Sequence, residues 1–232
     1  MITLNVIHRI YRIKYGDGTG TCFVIDEGGH KYLITAKHIV KNIKNPDTIK
    51  IENDNGWIDV KVNLIGHATG SIDISVLTGD LSFSSNDPLF VRKGPLALSQ
   101  DVWFVGFPNT RIQPHKTSPS FLELNRNFPL PMLRQGIVSW MHDDFIWIDA
   151  HGNIGSSGSP VVFKPNGSDL CFVIAVISKR TEEIKPVYET ELQAKNDDSI
   201  GIAPIGYYRE NSGVITAYSI KHALNLINSK PF

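Results

Sequence analysis

Along most of the chain, apolar and polar residues alternate with a period of two. Tyr11, Ile13 and Tyr15 alternate with Arg12 and Lys14, and Ile58, Val60, Val62 and Leu64 alternate with Asp59, Lys61 and Asn63. That period sends successive side chains to opposite faces, as in a half-buried antiparallel strand. Shorter β-rich runs occupy residues 21–25, 48–52, 74–77, 102–105, 136–140, 145–148, 161–163, 172–177, 200–203 and 213–216. Turn clusters separate many of them, among them Asp26-Glu27-Gly28-Gly29, Asn53-Asp54-Asn55-Gly56 and Pro165-Asn166-Gly167. Many short strands between turn signals predict an all-β protein built as barrels or a sandwich. Helical spacing is confined to two stretches. Residues 34–43 predict one short helix, and residues 218–228 a C-terminal helix docked through Ile220, Ala223, Leu224 and Ile227, with His222 on its surface.

Three connections break the strand pattern. Residues 84–100 carry Ser, Asn, Pro and Gly and join two halves, which sets an expected division into 1–90 and 91–232. Residues 107–131 hold Pro108, Pro114, Pro119, Pro129 and Pro131 and read as a long exposed loop. Residues 181–198 are polar and acidic and read as a second solvated loop.

Composition narrows the function classes. Hydrophobic residues make up 41% of the 232 and charged residues 20%, which excludes wholesale disorder. A chain this long buries roughly 70–75% of its unfolded surface, enough for a core without disulfides or metal. Twenty-three basic residues balance twenty-three acidic ones, so no net field favours nucleic acid or an anionic membrane as the main partner. Cys22 and Cys171 are too few for a disulfide scaffold; one bridge, or two buried thiols in a reducing compartment, are both open. No zinc spacing is present, and His142, Asp143 and Asp144 read as a hairpin tip rather than a metal site. Residues 1–15 lack the unbroken apolar stretch of a signal peptide, and the longest apolar run, 170–177, is far below the roughly 18 residues of a membrane span. The expectation is a soluble, cytoplasmic protein.

Candidate chemistry rests on three segments. In Leu33-Ile34-Thr35-Ala36-Lys37-His38, an apolar run ends in small residues and presents a histidine. In Ser71-Ile72-Asp73-Ile74-Ser75-Val76-Leu77, an aspartate opens a β-branched run. In Gly152-Asn153-Ile154-Gly155-Ser156-Ser157-Gly158-Ser159-Pro160, a serine sits in a glycine-rich turn that feeds a strand. Acyl transfer needs these parts. A serine hydroxyl is a weak nucleophile until a neutral imidazole takes its proton. A carboxylate must hold that imidazole in one tautomer and stabilise the imidazolium. The tetrahedral oxyanion needs preorganised N–H donors, here those of Gly155 and Ser157. The order His38, Asp73, Ser157 differs from the Ser…Asp…His order of α/β-hydrolases, and Ser159 breaks the G-x-S-x-G elbow. An esterase on that other fold is therefore disfavoured.

In motif and order the chain resembles the trypsin-like serine proteases of the chymotrypsin fold, in particular the bacterial HtrA/Deg branch. Gly18-Thr19-Gly20-Thr21-Cys22-Phe23 resembles that branch's opening strand, Thr35-Ala36-Lys37-His38 its T-A-x-H motif and Asp73-Ile74-Ser75-Val76-Leu77 its D-[IL]-A-[VL]-L motif. Val105-Gly106-Phe107-Pro108 is similar to its G-x-P turn. Gly136-Ile137-Val138-Ser139, Asp149-Ala150 and Gly155 to Pro160 resemble its G-I-V-S…D-A…G-N-S-G-G-P block. The resemblance implies two six-stranded antiparallel β-barrels followed by a C-terminal α-helix, with the active site in the cleft between them. It implies hydrolysis of peptide bonds in a protein or peptide substrate through an acyl-enzyme. His38 is then the general base, Asp73 its orienter and Ser157 the nucleophile, and no metal or organic cofactor is implied.

The departures shape further expectations. Ser156 stands where digestive proteases carry an aspartate, and the Ile-Val-Gly-Gly start is missing, so activation by clipping is not expected. Ser159 replaces a glycine and requires a negative φ or a shifted turn. No PDZ module is expected to follow. A latent enzyme, its oxyanion loop ordered by an activating protein partner or by substrate, fits these departures. A catalytically silent binding module on the same fold is the alternative. His151, Ser178, Lys179 and Arg180 are the candidate substrate-pocket residues. Their imidazole and cations would favour an acidic or polar residue on the acyl side, unless Lys179 and Arg180 point to solvent.

Overall fold

The computed structural model describes residues 2–53, 56–92, 96–107, 131–188 and 204–229. A short helix, α1 (Leu4–Ile7), precedes β1 (Ile10–Tyr15), β2 (Gly18–Glu27) and β3 (His30–Thr35); α2 (Lys37–Val40) then leads to β4 (Asp47–Asn53), β5 (Gly56–His67) and β6 (Ser75–Gly79). These six strands close an antiparallel barrel in the order β1-β2-β3-β6-β5-β4. After a two-residue strand, β7 (Phe90–Val91), come β8 (Asp101–Gly106), β9 (Met132–Met141), β10 (Phe145–Asp149), β11 (Pro160–Phe163), β12 (Phe172–Val187), β13 (Gly206–Ser219) and α3 (Lys221–Asn228). Strands β8 to β13 form the second six-stranded barrel, which the β11–β12 pairing closes, and β7 adds parallel to the start of β12.

Three apolar clusters explain the strand burial. Ile13, Cys22, Val24, Leu33, Ile51, Val62 and Leu77 fill the first barrel. Val102, Phe104, Val138, Ile148, Val161, Ala175 and Ile215 fill the second. The other faces of the same strands meet between the barrels: Phe23, Ile25, Ile34 and Val76 pack with Val105, Val162, Val173 and Val176, and with Ile220, Ala223 and Leu224 around α3. Hence β2 is buried on both faces over Gly20–Ile25, and its sequence lacks the polar alternation of a surface strand. Both cysteines are buried thiols not joined by a disulfide, Cys22 in the first barrel and Cys171 between the barrels. Among the described residues, no helix is long and apolar enough to cross a membrane.

Several elements differ from the sequence expectation. Residues 34 and 35 belong to β3, and the helix shrinks to Lys37–Val40, because the strand must continue to pair Thr35 with Ser75. Similarly, Tyr218 and Ser219 finish β13 and the last helix begins at Lys221. Residues 181–187, expected as loop, extend β12 and pair with Gly206–Asn211 of β13. This ribbon is exposed on both faces, so no alternation of apolar residues betrays it. Residues 142–144 form the β9–β10 hairpin tip, closed by the His142 N–H donating to Phe145 O at 2.9 Å. The proline-rich segment at 108–130 and the run at 200–203 lie outside the described residues.

One junction between strands is tight. A Cβ added at Gly106, the last residue of β8, would run into Ser159 Oγ and reach 2.9 Å from Thr21 Oγ1. Gly106→Ala is therefore expected to destabilise the fold by about 1–3 kcal/mol, the range for an overpacked core. Urea unfolding checks it, and adding Ser159→Gly should recover part of the loss; an unchanged midpoint in Gly106→Ala would show that the junction yields.

Candidate active site

α2 begins where β3 ends, and its second residue is His38. Asp73 lies two residues before β6, the strand paired with β3, so neighbouring strand ends bring the two side chains together. His38 Nδ1 is 2.7 Å from Asp73 Oδ2, and Asp73 Oδ1 accepts the His38 backbone N–H at 2.8 Å. Burial acts to raise the Asp73 carboxyl, but hydrogen bonds from His38 and from the Ser178 hydroxyl, 2.7 Å away, hold it below the usual carboxylate value. Lys37 pins the loop before Asp73, its Nζ donating to Ala68 O at 2.9 Å and to Gly70 O at 3.0 Å.

Ser157 comes from the second barrel, on the loop between β10 and β11. Its hydroxyl donates to the carbonyl of Ser178 on β12 at 2.8 Å. The left-handed positions of the loop fall on Gly155 (φ +94) and Gly158 (φ +84), while Ser159 keeps an ordinary φ. Gly158 is obligatory on a second count: a Cβ there would strike Thr21 O. Among the described residues, neither the Gly155 nor the Ser157 N–H has a backbone acceptor.

Thr21 joins the barrels beneath this loop. Its Oγ1 donates to Gly155 O at 3.0 Å and accepts the Phe107 N–H at 2.9 Å. Its N–H donates to Ser157 O at 2.9 Å, and its own carbonyl accepts Thr35 Oγ1 at 2.8 Å. Sequence reasoning missed Thr21, Thr35 and Lys37 as site residues, although all three lie inside the quoted motifs. Ser178, a candidate substrate-pocket residue, donates its hydroxyl to Asp73 and accepts the Ser157 hydroxyl with its carbonyl.

An open cleft of about 550 Å³ brings His38, Asp73 and Ser157 together, bordered also by Asn153, Ile154, Gly155 and Ser178. Lys179, Arg180 and Glu182 border it as well; Lys179 is exposed, and Arg180 is bound to Glu182 at 2.7 and 3.1 Å. His151 is exposed and does not border the cleft. No cluster of His, Cys, Asp and Glu able to hold a metal occurs among the described residues.

A family model described as a trypsin-like peptidase domain matches residues 20–175, well over half of the chain. The chain belongs to the trypsin-like peptidase family. It is thus a hydrolase of the serine-protease type. No curated protein sequence matches it. Among solved structures, the inactive form of the protease Rv3671c, from M. tuberculosis, aligns with a TM-score of 0.58 at 13% identity, over 97% of this chain and 90% of that one. The HtrA-type protease AlgW, solved with a tripeptide, aligns with a TM-score of 0.57 at 18% identity, over 97% of this chain and 61% of that one. At these identities the likeness shows the shared two-barrel fold.

Two outcomes are expected for this trypsin-like peptidase. The folded-state pKa of Asp73 lies below its unfolded value. Its stabilising contribution is therefore full above about pH 4, the ordinary Asp value, and is lost as pH falls through the lower folded value. Urea midpoints should fall more steeply with acid in wild type than in Asp73→Asn; parallel curves would remove Asp73 from the account. Thr21→Val leaves the buried Phe107 N–H and the Gly155 carbonyl without their partner, at about 1–3 kcal/mol for each unpaired group. Thr21→Ser should keep most of that stability in a thermal melt, and equal losses in both variants would contradict the hydrogen-bond explanation.

Proposed function

We propose that this trypsin-like peptidase is a serine endopeptidase in which Ser157 is the nucleophile, His38 the general base and Asp73 the orienting carboxylate. The observation that carries the reading is the 2.7 Å His38–Asp73 contact opening onto the same cleft as Ser157. The carboxylate selects the tautomer with the proton on Nδ1 and leaves the Nε2 lone pair free to act as base. Rotation about the Cα–Cβ bond of Ser157 carries its hydroxyl from the Ser178 carbonyl to His38 Nε2. The imidazole takes the proton as the oxygen attacks the substrate carbonyl. The N–H groups of Gly155 and Ser157 receive the oxyanion, and the leaving amine departs with the proton from His38. Water repeats the sequence and frees the acid.

On the acyl side, Ser178, Lys179 and Arg180 line the pocket. Because Glu182 matches the charge of Arg180, the pocket favours a polar residue over a strictly acidic one. The Ser157 hydroxyl rests on Ser178, not on His38, which supports a latent form that substrate or an activating protein partner turns on. Catalytic hydrogen bonds are often unformed without substrate, so this resting contact is compatible with a competent triad.

Labelling by a fluorophosphonate serine-hydrolase probe tests the assignment. Wild type is expected to label, and Ser157→Ala and His38→Ala to lose at least about 10³-fold in rate. A folded wild type that never labels, with or without a casein substrate present, would instead favour the silent binding module.

A further inference from the structure

A second cavity, of about 410 Å³, adjoins the cleft: both are bordered by Thr19 and Gly155. Resting on the serine-endopeptidase reading, we propose that this cavity binds acidic side chains of the substrate on the leaving-group side of the cut. The direction follows from the strands. The β11–β12 ladder ends at Pro160 and Val176, and Ser157 then meets β12 at Ser178. The edge of β12 that the β11 ladder leaves beyond Val176 is the proposed seat of the acyl-side residues, which puts the leaving segment on the opposite side, past Gly155 and Thr19.

Charge decides what that segment carries. Arg12, Lys14 and Lys50 border the cavity, and among the described residues no carboxylate does. Lys14 on β1 stands directly opposite Lys50 on β4. Like charges in that position destabilise a sheet, and an anion between them reverses the effect. Local carboxylates only partly offset the three cations. Glu52 holds Arg12 at 2.7 Å, and Asp59 holds Lys50 at 2.8 Å with both side chains more than half exposed. Lys14 has no carboxylate partner among the described residues. Trp57, which is 41% exposed, and Phe107, with the Arg12 guanidinium 5.4 Å from its ring centre, supply walls for the methylenes of a glutamate.

The span fixes the substrate position. Thr19 pairs with Lys14, and Lys14 with Lys50, so the lysines lie one and two strand spacings beyond Thr19. Two spacings are about 10 Å, the reach of about three residues of extended peptide. The acidic residue is therefore the second to fourth after the cut.

A pooled library of random decapeptides tests this in two ways. Cleavage by the full chain, read by sequencing the new N-termini, should show at least about fivefold more Asp and Glu than Lys and Arg at those positions. The double variant Lys14→Glu/Lys50→Glu should invert that preference. Retention of the same library on immobilised Ser157→Ala protein should show the same acidic enrichment and the same inversion without any cleavage. An absence of acidic enrichment on Ser157→Ala, or an enrichment that survives charge reversal, overturns the subsite. Fluorophosphonate labelling reports separately on the triad: acidic retention by a chain that does not label would refute the endopeptidase reading and leave the anionic-peptide site standing, whereas labelling without charge preference would do the opposite.

Discussion

Almost every part of the site depends on one threonine. Thr21 is buried between the barrels, and its hydroxyl and main chain bind four points that are distant in sequence: Gly155, Phe107, Ser157 and Thr35. A cleft between two barrels is useful only if the halves keep one relative position, because a nucleophile displaced by 1 Å loses much of its rate. Apolar packing between the barrels supplies most of the attraction but little direction. The Thr21 hydrogen bonds supply direction, since their partners are buried and each would be costly to leave unpaired. Gly158 and Gly106 belong to the same constraint, for each is the residue that lets another chain segment approach this point.

From that junction the site is assembled from strand ends. β3 and its neighbour β6 bring His38 and Asp73 together within the first barrel. β12 contributes Ser178, whose hydroxyl reaches across to Asp73 while its carbonyl holds Ser157. One residue of the second barrel thus touches both the proposed nucleophile and the carboxylate proposed to orient its base. It also marks where the β11 ladder stops and the edge of β12 becomes open to an extended peptide. The side proposed for the leaving segment has a different character, with Arg12, Lys14 and Lys50 of β1 and β4 bordering its cavity. Substrate selection by charge would then come from the first barrel and the acyl pocket from the second.

Much of the architecture could be read along the chain. The alternation at 11–15 and 58–64 predicted β1 and β5, and the motif order led to two barrels and a C-terminal helix, which the structure has. Strands without alternation escaped or lost their ends. The ribbon at 181–187 carries charge on both faces, and its pairing with β13 rests on main-chain hydrogen bonds that side chains do not announce. The 34–43 stretch has helical spacing, yet two of its residues serve the β3–β6 ladder, whose pairing prevails over local pattern.

Residue types and spacing along the chain were enough to choose β structure, the candidates His38, Asp73 and Ser157 and the trypsin-like resemblance, which in turn implied two barrels, because periodicity and motif chemistry are local properties. Which groups touch was decided by the tertiary structure alone. The Thr21 junction, the double contact of Ser178 and the Lys14–Lys50 juxtaposition each join segments through strand register, packing or chain reversal. Hydrogen bonds and charge interactions depend on distances of a few ångströms in space, and a linear order of residues does not contain them.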